Sequence, residues 1–362
     1  MQTSVRLFLL VLTILNSGTS RAKDAISAPQ LRENSNYSEF WEAQFLFESG
    51  AYSASEFLIT SFPLSKHHGL MISTLKPPQG TDGFGKQIII KNGRKRSGWH
   101  YDGSADALNI YQHELSGRRP EYLLRLNNTA AEVDIAFKSE LRSIPIIHSD
   151  AANGLPEVTL VAPAAYALGR WRAGPEIGGK GHADQWRELG HGVGYALHIV
   201  QDRDLSESLV RWQRFSSIPA FRTGGAADHT MPFLHVFTRP DDTVAAVLVL
   251  VGPDGTHMRF DNVKLELVRT GTWMLVATSD VAIVRGEIET TTPIEKFVLK
   301  DHLNGIERMM AGTLSTIERS RDQVNYRLEI SQAGNTDVVS GTMIYEDITL
   351  EAKKERPRRM RR

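Results

Sequence analysis

Between residues 163 and 215 the chain concentrates side chains able to do chemistry. Trp171, Trp186 and Trp212 are three of its six tryptophans, and His182, His191 and His198 are three of its twelve histidines. The run Gly178-Gly179-Lys180-Gly181-His182-Ala183-Asp184-Gln185-Trp186 is followed by Gly190-His191-Gly192-Val193-Gly194-Tyr195-Ala196-Leu197-His198. Glycine permits close backbone approach, imidazole and carboxyl groups move protons, and indole and phenol rings form flat apolar walls with a polar edge. That mixture suits a pocket for a large apolar ligand with one or two polar handles. Trp171, Trp186, His191, Tyr195, His198 and Trp212 are therefore the expected ligand-binding residues.

Asp184 and His182, a carboxyl and an imidazole two residues apart, are the candidate proton-transfer pair of this stretch. A catalytic carboxyl must stay protonated near neutral pH. Burial against Trp186 would raise its pKa, whereas a protonated His182 would lower it. An Asp in a glycine-rich turn more commonly hydrogen-bonds loop backbone. His182, Asp184, His191 and His198 are ordinary metal-ligand types, but their spacing fits no tight motif, and no metal is expected. His67-His68 beside Gly69 reads as a solvated turn. Trp212 and Arg214, two apart, share a face if their segment is a strand, which allows guanidinium to stack on indole. No Gly-x-Ser-x-Gly elbow, phosphate-binding loop or dinucleotide fingerprint is present, and no cofactor is expected.

The elements that must hold these groups are strands. Phe45 and Phe47, then Phe57, Ile59 and Ser61, fall on period two, as does Val324 to Ile330. Turn signals separate such runs at Asn92-Gly93, Asn127-Asn128, Pro240-Asp241-Asp242, Asp254-Gly255 and Gly334-Asn335. Strands recurring at this rhythm indicate a sandwich or barrel. Residues 202–213 read equally as a helix or a strand. At 362 residues the chain suits two domains. Pro219 and Gly224-Gly225 break the strand rhythm and place the boundary near residue 218.

Hydrophobic residues make up 41% and charged residues 23%, with Lys+Arg and Asp+Glu both 42. A net charge of +0 gives no overall field to recruit nucleic acid, and no nucleic-acid partner is expected. The basic run from Lys353 to Arg362 is expected to dangle in solvent, with weak contact to an anionic surface as the lesser alternative. Cysteine is absent, which excludes disulfides and thiol nucleophiles. Arg6, the apolar run Leu7 to Leu15 and the Ala-ended stretch Ser20-Arg21-Ala22 form the pattern of a secretory signal over residues 1–22. The expected compartment is periplasmic or secreted, with no membrane span after cleavage. Residues 23–37 read as a flexible lead-in.

Three short stretches resemble a known family. Gly181-His182-Ala183-Asp184 with Trp186 is similar to a Gly-Tyr-x-Asp-His-x-Trp segment, with His182 standing where the family has tyrosine. Tyr195, His198 and Gln201, followed by Trp212-x-Arg214-Phe215, resemble a histidine strand leading to an Arg-Trp strand. Ser340-Gly341-Thr342-Met343-Ile344-Tyr345-Glu346-Asp347 resembles a closing Gly-x-x-Tyr-x-Glu strand. The family is the lipocalin-like superfamily of AttH proteins, hydroxyneurosporene synthase (carotenoid hydratase), survival-factor proteins and lipocalin-type Diels–Alderases. The resemblance covers residues 38–352 in layout. It implies an all-β fold of two consecutive lipocalin-like antiparallel barrels, residues 38–218 and 219–352, and it makes Asp184 the position matching the hydratase acid.

The leading expectation is an exported carrier of a hydrophobic, lipid- or terpenoid-like small molecule, held in an apolar hollow lined by the Trp- and His-rich stretch. The alternative is cofactor-free hydration, isomerisation or cyclisation of a polyene by acid catalysis. A third possibility, an assembly module, predicts barrel interiors filled by side chains.

Overall fold

A computed structural model of the chain describes residues 26, 28–34, 36–62, 65–78, 87–95, 98–148, 154–177, 185–221, 229–298, 301 and 317–350. The expected leader, residues 1–22, and the basic tail, 353–362, lie outside the described residues. Among those described, no helix is long and apolar enough to cross a membrane.

The fold is all-β and antiparallel, as expected. Its first sheet contains β1 (Ser38–Phe47), β2 (Tyr52–Phe62), β3 (Ser65–Lys76), β4 (Ile88–Lys95), β5 (Trp99–Asp102), β6 (Ala107–Ile110), β7 (His113–Arg118), β8 (Glu121–Asn127), β9 (Ala131–Lys138), β10 (Ile144–Ile147), β11 (Glu157–Ala173) and β12 (Arg187–Gln201). Their order is β4-β3-β2-β1-β12-β11-β9-β8-β7-β6-β5, with β10 paired to β11. The edge strand β5 folds back onto β3, where Trp99 Nε1 donates to the His67 carbonyl at 2.7 Å.

The short helix α1 (Leu205–Ser208) follows, capped by the Asp204 carboxylate accepting from the Ser206 N–H at 3.1 Å. The second sheet contains β13 (Arg211–Ile218), β14 (Met231–Thr238), β15 (Val244–Val251), β16 (His257–Phe260), β17 (Asn262–Arg269), β18 (Thr272–Thr278), β19 (Ala282–Val298), β20 (Ile317–Gln332) and β21 (Asn335–Leu350). Their order is β16-β15-β14-β13-β21-β20-β19-β18-β17.

The chain divides into two compact units: residues 1–148, 157–200 and 219–227, and residues 149–156, 201–218 and 228–362. In this division β13 groups with the second unit. The reason is pairing, because β13 hydrogen-bonds β14 and β21. The expected turns after Asn127, at Asp241-Asp242, at Asp254-Gly255 and around Gly334 are present. Asn92-Gly93 is not a turn: β4 runs through it, and pairing with β3 shifts between Gly69 and Met71. His67 and His68 lie in β3 rather than in a solvated turn, with His67 at a φ of 55°.

Alternation decides the cores. In β1 the odd residues Trp41, Ala43, Phe45 and Phe47 join the core of the first unit, opposite Phe57 and Ile59 of β2. Two glycines of the Gly-x-Gly run in β12 seat these rings. A Cβ on Gly192 would lie 2.7 Å from Phe47, and one on Gly194 would lie 2.8 Å from Phe45. Phe45 packs on Phe137 at 5.0 Å, and Phe137 on Tyr122 at 5.1 Å. The core of the first unit is thus built from its own closely packed side chains.

Candidate functional site

The described residues of the Trp- and His-rich stretch are shared between the two units and, within β11 and β12, between opposite strand faces. His182 and Asp184, the expected catalytic pair, lie outside the described residues. Trp171 is buried in the core of the first unit. Trp186 sits under two guanidiniums, Arg170 at 4.5 Å and Arg172 at 5.1 Å. Strand alternation puts those arginines on the face of β11 opposite Trp171. His191 is exposed. Tyr195 is buried, and by the same alternation it occupies the face of β12 opposite His198. His191 and His198 are an odd number of residues apart on one strand, so they cannot ligate one metal. Trp212 belongs to the second unit, where it donates to His235 Nδ1 at 3.2 Å. The Arg214 guanidinium lies 5.1 Å from the Trp212 ring, as the shared strand face predicts.

Of these residues, His198 belongs to a polar cluster. Its Nε2 lies 2.7 Å from Glu39 Oε1, and its ring stacks on Trp41 at 5.0 Å and 5°. A carboxylate can only accept, so it assigns the proton to His198 Nε2. Glu39 is fully buried and also accepts from the Tyr37 hydroxyl and from the backbone N–H of Gln30, at 2.9 and 3.0 Å. Burial and the neighbouring carboxylate push the Tyr37 phenol pKa well above its ordinary value. His198 is the most open member, its side chain 14% exposed.

The second unit offers a different surface. The inner faces of its strands carry a core of Phe215, Trp273, Tyr326 and Tyr345 with aliphatic neighbours. Toward the sheet edges this face is incompletely covered. Ala246, Met258, Val263, Leu265, Ile330 and Val339 are only partly buried against it. Val244 and Leu267, which continue the inward rows of β15 and β17, are 63% and 60% exposed.

Polar groups stand on the same face. Asp322 is the β20 residue directly opposite Tyr345 of β21, and it shares the inward row of Val324, Tyr326 and Leu328. Burial, with the Asp347 charge adding, raises the Asp322 carboxyl pKa above the usual aspartate value. Asp347 itself is paired with Arg211 at 2.6 Å. Gln213 Nε2 donates to the Tyr345 hydroxyl at 2.8 Å, and Ser217 Oγ lies 3.2 Å from the Tyr326 hydroxyl. Burial pushes both phenols up to about 12. Chemically, this is an apolar wall bearing an acid that holds its proton more tightly than usual, with neutral hydrogen-bonding groups beside it.

Sequence reasoning missed Glu39 and Asp322, yet period two carried the signal. Glu39 precedes Trp41 in the inward row of β1, and Asp322 precedes Val324 in that of β20. Charged residues in apolar rows were the clue.

No protein-family model and no curated protein sequence matches the chain. Three kinds of solved structure resemble it. One is a putative AttH from Nitrosomonas europaea, with TM-score 0.54 and 11% identity, covering 89% of this chain and 94% of that one. Another is CghA with Sch210972, with TM-score 0.55 and 10% identity, covering 90% and 94%. The third is kievitone hydratase from Nectria haematococca, with TM-score 0.50 and 9% identity, covering 91% and 98%. At these identities the likeness speaks for architecture. The chain has the all-β, lipocalin-like fold that these AttH-type, CghA and hydratase structures share.

Proposed function

We propose that this chain binds a hydrophobic, lipid- or terpenoid-like small molecule on the inner face of its second sheet and serves as a carrier. The observation behind this reading is the incompletely covered apolar row of Met258, Val263, Leu265, Ile330 and Val339 around a floor of Trp273, Tyr326 and Tyr345. Apolar surface that folding leaves in contact with water gains free energy when a ligand covers it, about 25 cal/mol per Å². The hydroxyls of Tyr326 and Tyr345 and the Asp322 carboxyl supply polar handles. That CghA is described with Sch210972, and that another neighbour is named a hydratase, agrees with a ligand-handling role. With the expected leader at residues 1–22, the carrier would act outside the cytoplasm.

All-trans-retinol, a fluorescent isoprenoid, tests the site. Energy transfer from tryptophan to retinol should saturate and should fall in Trp273→Phe. Leu265→Glu should weaken binding, because it buries a charge beneath the ligand. Retinol binding that Leu265→Glu leaves unchanged in a folded protein would refute the placement.

Asp322 favours a second reading, acid catalysis. Its protonated carboxyl would give a proton to one carbon of a ligand double bond, water would add to the resulting carbocation, and the proton lost from that water would return to the carboxylate. The expected product is substrate plus one water, read by mass after incubation with an isoprenoid polyene. Asp322→Asn should abolish it and Asp184→Asn should not; the reverse pattern would restore Asp184 to the role expected from sequence.

A further inference from the structure

The first unit holds an arrangement that binding on the second sheet does not use. Residues 28–34 cross the end of this unit where Tyr37, Glu39 and His198 meet, without helix or strand. The expected flexible lead-in is here pinned. The Gln30 N–H donates to both Glu39 oxygens at 2.9 and 3.0 Å, and the Leu31 N–H reaches Glu39 Oε2 at 3.4 Å and the Tyr37 hydroxyl at 3.1 Å. His67 Nε2 lies 3.2 Å from the Arg32 carbonyl, and Arg32 pairs with Glu157 at 2.8 Å. Leu31 holds a φ of 50°, a left-handed conformation in which its Cβ crowds the backbone. The segment thus carries one left-handed residue and is held by the Glu39 carboxylate together with His67, Glu157 and Lys66.

Every partner of Glu39 named above is a donor: two backbone amides, a phenol and an imidazole. Its two oxygens present about four acceptor sites. A buried carboxylate stripped of its donors is strongly destabilising, so the turn can leave only if another donor set takes its place. Two N–H groups side by side on one carboxylate are what an amidinium or guanidinium provides in a single planar group. The parallel Trp41–His198 stack gives a flat aromatic wall beside it.

We propose that Glu39, with Trp41 and His198, forms a recognition site for a compact aromatic amidine or guanidine, and that residues 28–34 are a strap occupying this site until such a ligand displaces it. Ligand and strap compete for the same carboxylate. The site is separate from the inner face of the second sheet and stands or falls independently of the carrier role.

Benzamidine is the probe, used on the full chain. Titration should raise amide hydrogen exchange at Gln30 and Leu31 saturably, with a matching change in tryptophan fluorescence. Neutral benzamide should do neither. Glu39→Gln should weaken the response by at least about tenfold, the loss of one charge-assisted interaction. Should Glu39→Gln fold poorly, a second variant carries the test. The chain has no cysteine, so Arg32→Cys with Glu157→Cys can be joined by a bifunctional methanethiosulfonate reagent. The clamped protein should lose the benzamidine response and recover it on reduction with dithiothreitol. Unchanged exchange at Gln30 and Leu31 in saturating benzamidine, or a clamped protein that responds normally, would overturn the proposal.

Discussion

Asp322 and Tyr345 stand directly opposite each other on the inward face of the β20–β21 ladder, a carboxyl and a phenol whose pKa values are both raised by burial. Two acids facing one apolar wall have a direct consequence for stability. The folded state raises the Asp322 pKa, so the folded chain binds this proton more readily than the unfolded chain. Stability from this group is greatest below the ordinary aspartate pKa and falls as pH rises through the raised one. Asp322→Asn should therefore stabilise the protein at neutral pH and lose that advantage in acid. Because the group is partly exposed, the gain should not exceed about 2–4 °C in Tm, the shift that 1 kcal/mol produces in a domain of this size. Thermal melts of both proteins at neutral and acid pH give the comparison. A variant equally destabilised at both would contradict it.

His113 makes the opposite prediction. It is fully buried in β7, its Nδ1 accepts the Asn127 N–H at 3.1 Å, and burial lowers its pKa from 6.5 to about 4. Below pH 6.5 the unfolded chain takes up this proton and the folded chain does not, so stability should drain away as pH falls from 6.5 toward 4. His113→Asn keeps an acceptor for Asn127 without the titration. Its denaturant midpoint should change less than the wild-type midpoint across that interval.

Glu39→Ala removes the acceptor shared by Gln30, Tyr37 and His198. Breaking a buried pair from one side costs about 3–5 kcal/mol. Urea unfolding should show a loss of that order. Glu39→Gln, which can still accept, should lose less, and equal losses would mean that space rather than hydrogen bonding matters at this position.

Gly194→Ala tests the ring seat. The added Cβ would meet the Gln44 carbonyl and the Phe45 ring, so β1 and β12 would have to separate. Overpacking of this kind costs about 1–3 kcal/mol. Gly190, although at a φ of 85°, has open space around it, so Gly190→Ala isolates backbone strain from crowding. Denaturation of the two variants side by side separates the causes.

Much of the architecture was legible in residues alone. Period-two rows at Phe45-Phe47 and Val324–Ile330, and the turn residues between them, indicate antiparallel strands because alternation and turn chemistry are local properties of the chain. They also indicated that Trp212 and Arg214 share a face. The same logic failed at Asn92-Gly93, where pairing with β3 overrode a favourable turn sequence. The place of β13 likewise depends on distant pairing, with β14 and β21.

What one strand can determine, the sequence determined: which side chains alternate inward, where turns fall, and that glycines in β12 allow close approach. Only the tertiary structure decided which distant rows meet. Glu39 and His198 lie 159 residues apart in the chain and hydrogen-bond because β1 and β12 are neighbours in one sheet. Asp322 gains its raised pKa only from the face it shares with Tyr345 and Asp347. Strand pairing across long separations is chosen by the packing of whole sheets. For that reason, the partner of a buried polar group such as Glu39 is set by which strands become neighbours and not by nearness in the chain.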